Sequence, residues 1–333
     1  MQRASVIGGG AFGTAMACVL SSKFASVNVW LRKEDNPEAI ESSRENKDFM
    51  PGYRLPDGVH FTSDVSAAVD ASELVLLAIP TQFLRSFLAV NRSTFPVGVP
   101  IVTCAKGIEL SSLQFPYSIL RDELPGKYGR FLVALSGPSF AKEIMEKQPT
   151  AVTVAGEKDA TLAVQTLLSS KSYNFRVYTS EDAIGCEVAG AVKNVLAIAS
   201  GCAAGLGYGA NTRALLICRG LAEISRLVRR LGGDGSALSG LAGVGDLLLT
   251  CSSELSRNFS VGKQLAEGHK IDQILASSHA VAEGVVTAKA LFKLIESLKL
   301  DMPICTEVYK VIYEGRQVAD AIETLSNRPL GGE

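Results

Sequence analysis

One stretch limits the fold more than any other: Gly8-Gly9-Gly10-Ala11-Phe12-Gly13, directly behind a short apolar run, Arg3 to Ile7, and directly before a helix-like segment, TAMACVLSS. Taken alone, G-x-G-x-x-G says little. Between a first strand and a first helix it has a mechanism, that of a dinucleotide-binding turn. Gly8 permits the tight turn, Gly10 lets backbone approach a pyrophosphate, and Gly13 packs helix on strand. The amides of Ala11 and Phe12 face the anion at the positive end of the helix. The plain alternative is a glycine-rich turn with no ligand.

The next strand, VNVWL from Val27, ends in Arg32-Lys33-Glu34-Asp35. An acidic residue at this place suits the ribose hydroxyl of NAD, and cations tolerate the 2′-phosphate of NADP. Here Arg32 and Lys33 come first, so the reading leans to NADP and leaves NAD open through Glu34. The polar region from Asn36 to Pro56 reads as helix, then loop. Further strands are predicted near Val59–Thr62, Leu74–Ile79, Pro100–Cys104, Phe131–Leu135, Ala151–Ala155 and Asn174–Tyr178. Helical segments separate most of them, including Thr81 to Val90 and Ser112 to Glu123. Strand and helix alternating at this spacing make an α/β fold, a doubly wound and mostly parallel sheet whose ligands lie beyond the carboxyl ends of its strands.

Three of those ends carry polar or aromatic groups. Phe83, in PTQF, lies either in the core or against a nicotinamide ribose. Lys106, in CAKGIE, is either solvated or meets an anionic substrate. Gly137-Pro138-Ser139-Phe140-Ala141 is a turn in which Ser139 either caps the next helix or touches a ligand.

From Ser180 the alternation stops and helices follow, so the chain divides into a sheet domain over 1–180 and a helical domain over 181–333. The first long helix, Cys186 to Ala204, holds one cation, Lys193. Its neighbours one turn away are Ala189, Gly190, Leu196 and Ala197, which offer the ammonium no carboxylate on its own helix. Burial there disfavours the charged form and eases proton exchange near neutral pH. The alternative is a lysine that snorkels to the surface. Further along, the turn LAGVGD leads to Asp246, either a helix cap or a carboxylate facing Lys193, with Thr250 on the helix behind it. Ser256-Arg257-Asn258 then opens another helix, where a guanidinium, an amide and a helix N-terminus together can grip a phosphate.

With 33 basic and 34 acidic residues well mixed, the chain has no electrostatic footprint for nucleic acid or a membrane surface. The seven cysteines include no C-x-x-C pair, as expected of reduced thiols inside a cell. The three histidines, His60, His269 and His279, lack metal-ligand spacing, so no metal is expected. No signal segment is read before the first strand, and a cytoplasmic location is expected. A dehydrogenase with a cysteine nucleophile is a rival reading, and Cys251 is its candidate.

Together these segments resemble the NAD(P)-dependent glycerol-3-phosphate dehydrogenases. GGGAFGTA, IPTQF, CAKGIE, SGPSFAKE, GAVKNVLAIASG, RALLICRGL, GLAGVGDLLLTC, SRN and VAEG stand in the family's order across nearly the whole chain. The resemblance implies a Rossmann-like amino-terminal domain, a helical carboxyl-terminal domain, a homodimer, and interconversion of dihydroxyacetone phosphate and sn-glycerol 3-phosphate. It implies Lys193 as the catalytic lysine, with Lys106, Asp246 and Thr250 beside the reacting carbon. Arg257 and Asn258 fall at the phosphate-holding positions, and Gly137, Ser139 and Ser256 at further substrate contacts. Cofactor positions fall on Gly8, Gly10, Ala11, Phe12, Gly13, Arg32, Lys33, Phe83, Lys106, Ala141, Arg257, Val281 and Glu283. Ser139 departs from the threonine or asparagine of many members, and the segment from Trp30 to Lys33 varies widely in the family.

Overall fold

The computed structural model describes residues 1–124, 126–276 and 282–329. Its described contacts fall into two units. One comprises Met1–Lys106 with Pro116–Cys186, the other Gly107–Phe115 with Glu187–Glu333. Residues 107–115, which sequence alternation places with the sheet, thus group with the helices.

The first unit is built on one sheet of eight strands: β1 (Arg3–Ile7), β2 (Ser26–Trp30), β3 (Val59–Thr62), β4 (Val75–Leu77), β5 (Ile101–Thr103), β6 (Leu132–Ser136), β7 (Thr150–Gly156) and β8 (Phe175–Ser180). Their order is β3-β2-β1-β4-β5-β6-β7-β8. Every pairing is parallel except that of β7 with β6. The apolar runs along β1, β4 and β5 have no polar alternation because helices cover both faces, as a parallel sheet requires. Those helices are α1 (Ala11–Leu20), α2 (Pro37–Ser43), α3 (Val65–Val69), α4 (Thr81–Asn91), α5 (Pro116–Glu123), α6 (Ala141–Met145) and α7 (Lys158–Leu168). α5 starts at Pro116, where the ring suits a first helical position, and not at Ser112; Leu113 has a left-handed φ of 60°, which no helix continues. The chain leaves β1 towards β3 and then returns to build outward from β4. The junction of β1 and β4 is therefore the switch point, the place where folds of this topology bind ligands beyond the strand ends.

The second unit holds α8 (Ala183–Gly205), α9 (Ala210–Arg230), α10 (Asp246–Ser252), α11 (Arg257–Ala266), α12 (Ile271–Ala276), α13 (Glu283–Leu298), α14 (Pro303–Tyr313) and α15 (Val318–Ser326). α8 begins three residues earlier than its apolar pattern, because the Asp182 carboxylate accepts the Gly185 amide at 2.8 Å and caps the first turn. By length and composition it is the one described helix able to cross a membrane, yet 83% of that window is buried inside the fold. Val188, Val192, Val195 and Ile198 of α8 pack into a core with Ile224, Leu227, Leu291 and Ile295.

Glycine explains how tightly α8 can be wrapped. A Cβ on Gly201 would run into the Phe259 carbonyl, and one on Gly262 into the Ile198 carbonyl. α8 and α11 therefore meet backbone to backbone. The glycines late in α8 serve this helix contact, and the turn follows at Gly207, where φ is +82°.

Candidate active site

In the first unit the carboxyl ends of β1, β4, β5 and β6 lie in neighbouring positions. Behind β1, Gly8 has φ +106°, and a Cβ there would lie 2.6 Å from the Ala78 carbonyl oxygen; one on Gly13 would strike the Gly8 carbonyl. Gly10 is different, since a Cβ there meets nothing within 4 Å. It is the N-cap of α1 and supplies no side chain to the first-turn amides, and no acidic residue stands in that turn. Ala11 and Phe12 thus open a helix end with bare backbone and room before it, a cradle that fits a pyrophosphate. Two buried hydroxyls, Thr81 Oγ1 behind β4 and Ser136 Oγ at the end of β6, have no hydrogen-bond partner. Orphaned donors at these strand ends fit a polar ligand as well.

Phe83 is 61% exposed, in the first turn of α4, which removes the core reading. Lys106 Nζ donates to the Gly137 carbonyl at 3.4 Å. Ser139 Oγ donates to the same carbonyl at 2.9 Å, so it does not cap α6; Phe140 stands at that cap with no side-chain bond, and Ala141 begins the helix. Gly137 itself has φ +137°, and a Cβ would come 2.9 Å from Val152 Cα. Beyond β2, the Arg32 guanidinium donates twice to the Asp35 carboxylate, at 2.9 and 2.7 Å, which holds that carboxyl below its usual range. Lys33 lies exposed in the short turn that follows.

In the second unit Lys193 is 7% exposed and Asp246 1%. Lys193 Nζ donates to Asp246 Oδ1 at 2.5 Å and to Thr250 Oγ1 at 3.0 Å. The carboxylate missing from the lysine's own helix is supplied by α10. Asp246 and Thr250 are four residues apart, on one face of that helix, and the threonine hydroxyl donates back to the Asp246 carbonyl at 2.6 Å. The LAGVG segment before α10 is a wide π-type turn, and it sets Asp246 as the first helical residue with Gly245 at the cap.

Ser256 caps α11 by accepting the Phe259 amide at 3.3 Å; Arg257, exposed, and Asn258, buried, form its first turn. Asn258 Oδ1 accepts the Gly284 amide at 3.0 Å, which leaves the NH₂ of its side chain as the donor face. A Cβ on Gly284 would sit 2.6 Å from the Asn194 carbonyl and 2.7 Å from Asn258 Oδ1. The first turn of α11 and the start of α13, which opens with Glu283, therefore converge on the residue after Lys193. Val281 lies outside the described residues. Asn194 and Gly284 carry no signal in apolar periodicity, because what they contribute is backbone. Cys251 is buried and its thiol is pushed up to about 12, so at neutral pH it is no nucleophile.

A glycine cradle at the switch point of a mostly parallel sheet in one unit, and in the other a buried ammonium held by carboxylate and hydroxyl, fit a nicotinamide-dinucleotide oxidoreductase. The sequence model for the amino-terminal part of NAD-dependent glycerol-3-phosphate dehydrogenase matches residues 3–162, and that for its carboxyl-terminal part residues 182–323. The chain belongs to the NAD-dependent glycerol-3-phosphate dehydrogenase family. It is 46% identical to a glycosomal, NAD(+) glycerol-3-phosphate dehydrogenase of Leishmania mexicana, over 100% of this chain and 92% of the other. It is 44% identical to the NAD(P)+ enzyme of Myxococcus xanthus, over 98% and 97%. The crystal structure of the Coxiella burnetii glycerol-3-phosphate dehydrogenase superposes with a TM-score of 0.92 at 31% identity, covering 98% of this chain and 99% of that one.

Proposed function

We propose that Lys193 exchanges the proton, and Arg257 with Asn258 holds the phosphate, in the interconversion of dihydroxyacetone phosphate and sn-glycerol 3-phosphate. Bound NAD(P)H supplies the hydride in reduction, and NAD(P)+ takes it in oxidation. Lys193 as an ammonium gives its proton to the oxygen on C2 during reduction; as an amine it takes that proton back during oxidation. Asp246 and Thr250 fix the direction of Nζ, and Lys106 stabilises oxyanion character at C2. The Arg257 guanidinium, the Asn258 NH₂ and the amides opening α11 grip the phosphate and so hold C2 in register. Gly137, Ser139 and Ser256 make the remaining substrate contacts. The residues that would hold the dinucleotide are Gly8, Gly10, Ala11, Phe12, Gly13, Arg32, Lys33, Phe83, Lys106, Ala141, Arg257, Val281 and Glu283. In this reading residues 1–180 bind the dinucleotide, and 181–333 bind substrate and carry the lysine.

The observation that carries this reading is the buried hydrogen bonding of Lys193 Nζ to Asp246 and Thr250. The test is the initial rate of NADH and of NADPH oxidation with dihydroxyacetone phosphate, and oxidation of neither would overturn it. Arg32 and Lys33 favour the 2′-phosphate of NADPH, while the Arg32–Asp35 pair takes up part of that charge; the two kcat/KM values decide the preference. The physiological role proposed is supply of glycerol 3-phosphate for glycerolipid synthesis or redox balance. A homodimer in the cytoplasm completes the proposal. The homodimer follows from the family resemblance, and seven free thiols support a reducing compartment.

A further inference from the structure

Asn46 lies in the polar stretch behind α2, 37 residues from the glycine turn, and is only 1% exposed. Its Nδ2 donates to the Gly9 carbonyl at 2.8 Å and to Thr14 Oγ1 at 2.9 Å, and the Thr14 hydroxyl donates to the same Gly9 carbonyl at 3.1 Å. Two side chains from different places in the chain thus converge on one oxygen.

The backbone around that oxygen has little rigidity of its own, because three glycines in a row leave the peptide planes free to turn. A Cβ on residue 9 would press on the Leu31 side chain. In a trans peptide the carbonyl and the following N–H point in opposite directions. Holding the Gly9 carbonyl inward therefore turns the Gly10 N–H the opposite way, and at Gly10, the N-cap of α1, a side-chain position is open. A pyrophosphate bound at this helix end would meet that N–H.

The segment that delivers Asn46 is itself braced. Arg44 donates through its guanidinium to the carbonyls of Pro56 and Val59, Leu55 N–H returns to the Arg44 carbonyl at 2.8 Å, and Glu45 accepts the Gly52 amide at 2.8 Å. Met50 and Leu55 are buried beneath it. A loop anchored in this way, with one fully buried asparagine directed at the turn, has the build of a fixture for that asparagine.

We propose that Asn46, bridged by Thr14, is a positioning residue for the dinucleotide: it holds the Gly9–Gly10 peptide with its N–H presented to the pyrophosphate. The proposal rests on the dinucleotide reading of the glycine turn. Titration of the apoprotein with NADH, and with NADPH, tests both. Failure of the wild-type protein to bind either would remove the underlying reading. With wild-type binding in hand, Asn46→Leu, which keeps volume and removes both donors, is expected to weaken the dinucleotide Kd about tenfold, the loss of roughly one buried hydrogen bond. Thr14→Val is expected to weaken it several-fold, and Thr14→Ser, which keeps the hydroxyl, to restore it. KM for the dinucleotide should rise with Kd, while KM for dihydroxyacetone phosphate and kcat change far less. A wild-type Kd in Asn46→Leu overturns the proposal, as does a loss shared equally by both substrates. If Asn46→Leu does not fold, equal Kd values for Thr14→Val and Thr14→Ser overturn it instead.

Discussion

Lys193 is the one cation of a 23-residue helix, and its burial is made tolerable by groups from elsewhere in the chain. Asp246 at 2.5 Å and Thr250 at 3.0 Å supply what α8 lacks. Lys193→Ala should lower kcat by roughly 10²- to 10⁴-fold, the usual contribution of a positioned proton donor. The dinucleotide Kd, read by fluorescence titration, should stay near wild type; a turnover loss below tenfold would take the role away from the lysine. Asp246→Leu leaves a buried ammonium without its counter-charge and should cost about 3–5 kcal/mol of stability, measured by urea unfolding. Adding Lys193→Met to it should recover much of that loss, because the lone charge goes too. Lys193 and Asp246 were legible in the sequence, one as an isolated cation in an apolar helix and the other as an acid behind a glycine turn. Asn46 was not: it stands in a charged stretch, among Arg44, Glu45, Lys47 and Asp48, and only tertiary structure shows that it alone of these is fully buried.

Elements transmit these positions through backbone. α8 and α11 touch at Gly201 and Gly262, and α13 reaches Asn258 through the Gly284 amide, so the first turn of α11, the proposed phosphate grip, is held by how closely three helices approach. Gly262→Ala puts a methyl against the Ile198 carbonyl, which cannot rotate away as a side chain would. Forced separation of packed groups costs typically about 1–3 kcal/mol, and the midpoint of urea unfolding should fall accordingly. Parting the helices also moves Asn258 away from the residue that follows Lys193, so KM for dihydroxyacetone phosphate should rise in the folded fraction. Arg257→Ala leaves the packing alone, because its side chain is exposed, and should raise that KM with an unchanged unfolding midpoint. A normal KM in Arg257→Ala would remove it from the grip. Eight strands and the long helices were legible from apolar runs, since a strand buried on both faces and a buried helix advertise themselves. The cap at Asp182, the late start of α5 at Pro116 and the helix contact hidden in the glycines of IASGCAAG were not, because each is decided by a single hydrogen bond, ring or close approach.

At the scale of the whole chain, burial sorts the thiols into two chemical groups. Cys18, Cys104, Cys202 and Cys251 are buried in the two units' cores, and desolvation pushes each thiol up to about 12. Cys218, on α9, is exposed. Iodoacetamide at pH 8 should therefore modify Cys218 in the native protein and leave these four unlabelled until denaturant is added, with activity retained, as read by mass spectrometry and assay. Labelling of Cys251 with loss of turnover would restore the cysteine-nucleophile reading. The same shifts set an alkaline limit on stability. A thiol whose folded value lies above its unfolded one keeps its proton in the native state after the unfolded chain has lost it. The native state then binds more protons between about pH 9 and about pH 12, and stability falls as pH rises through that window. Each such thiol removes up to about 1.4 kcal/mol per pH unit, so the urea midpoint should be flat from pH 7 to 8 and decline steadily above pH 9. Replacing Cys251 by alanine would remove one share of that slope, at the cost of a small cavity beside Lys193 that lowers the midpoint equally at every pH. A slope unchanged by that substitution would mean the thiol already titrates normally in the folded chain, and that the ground between α8 and α10 is wetter than its burial implies.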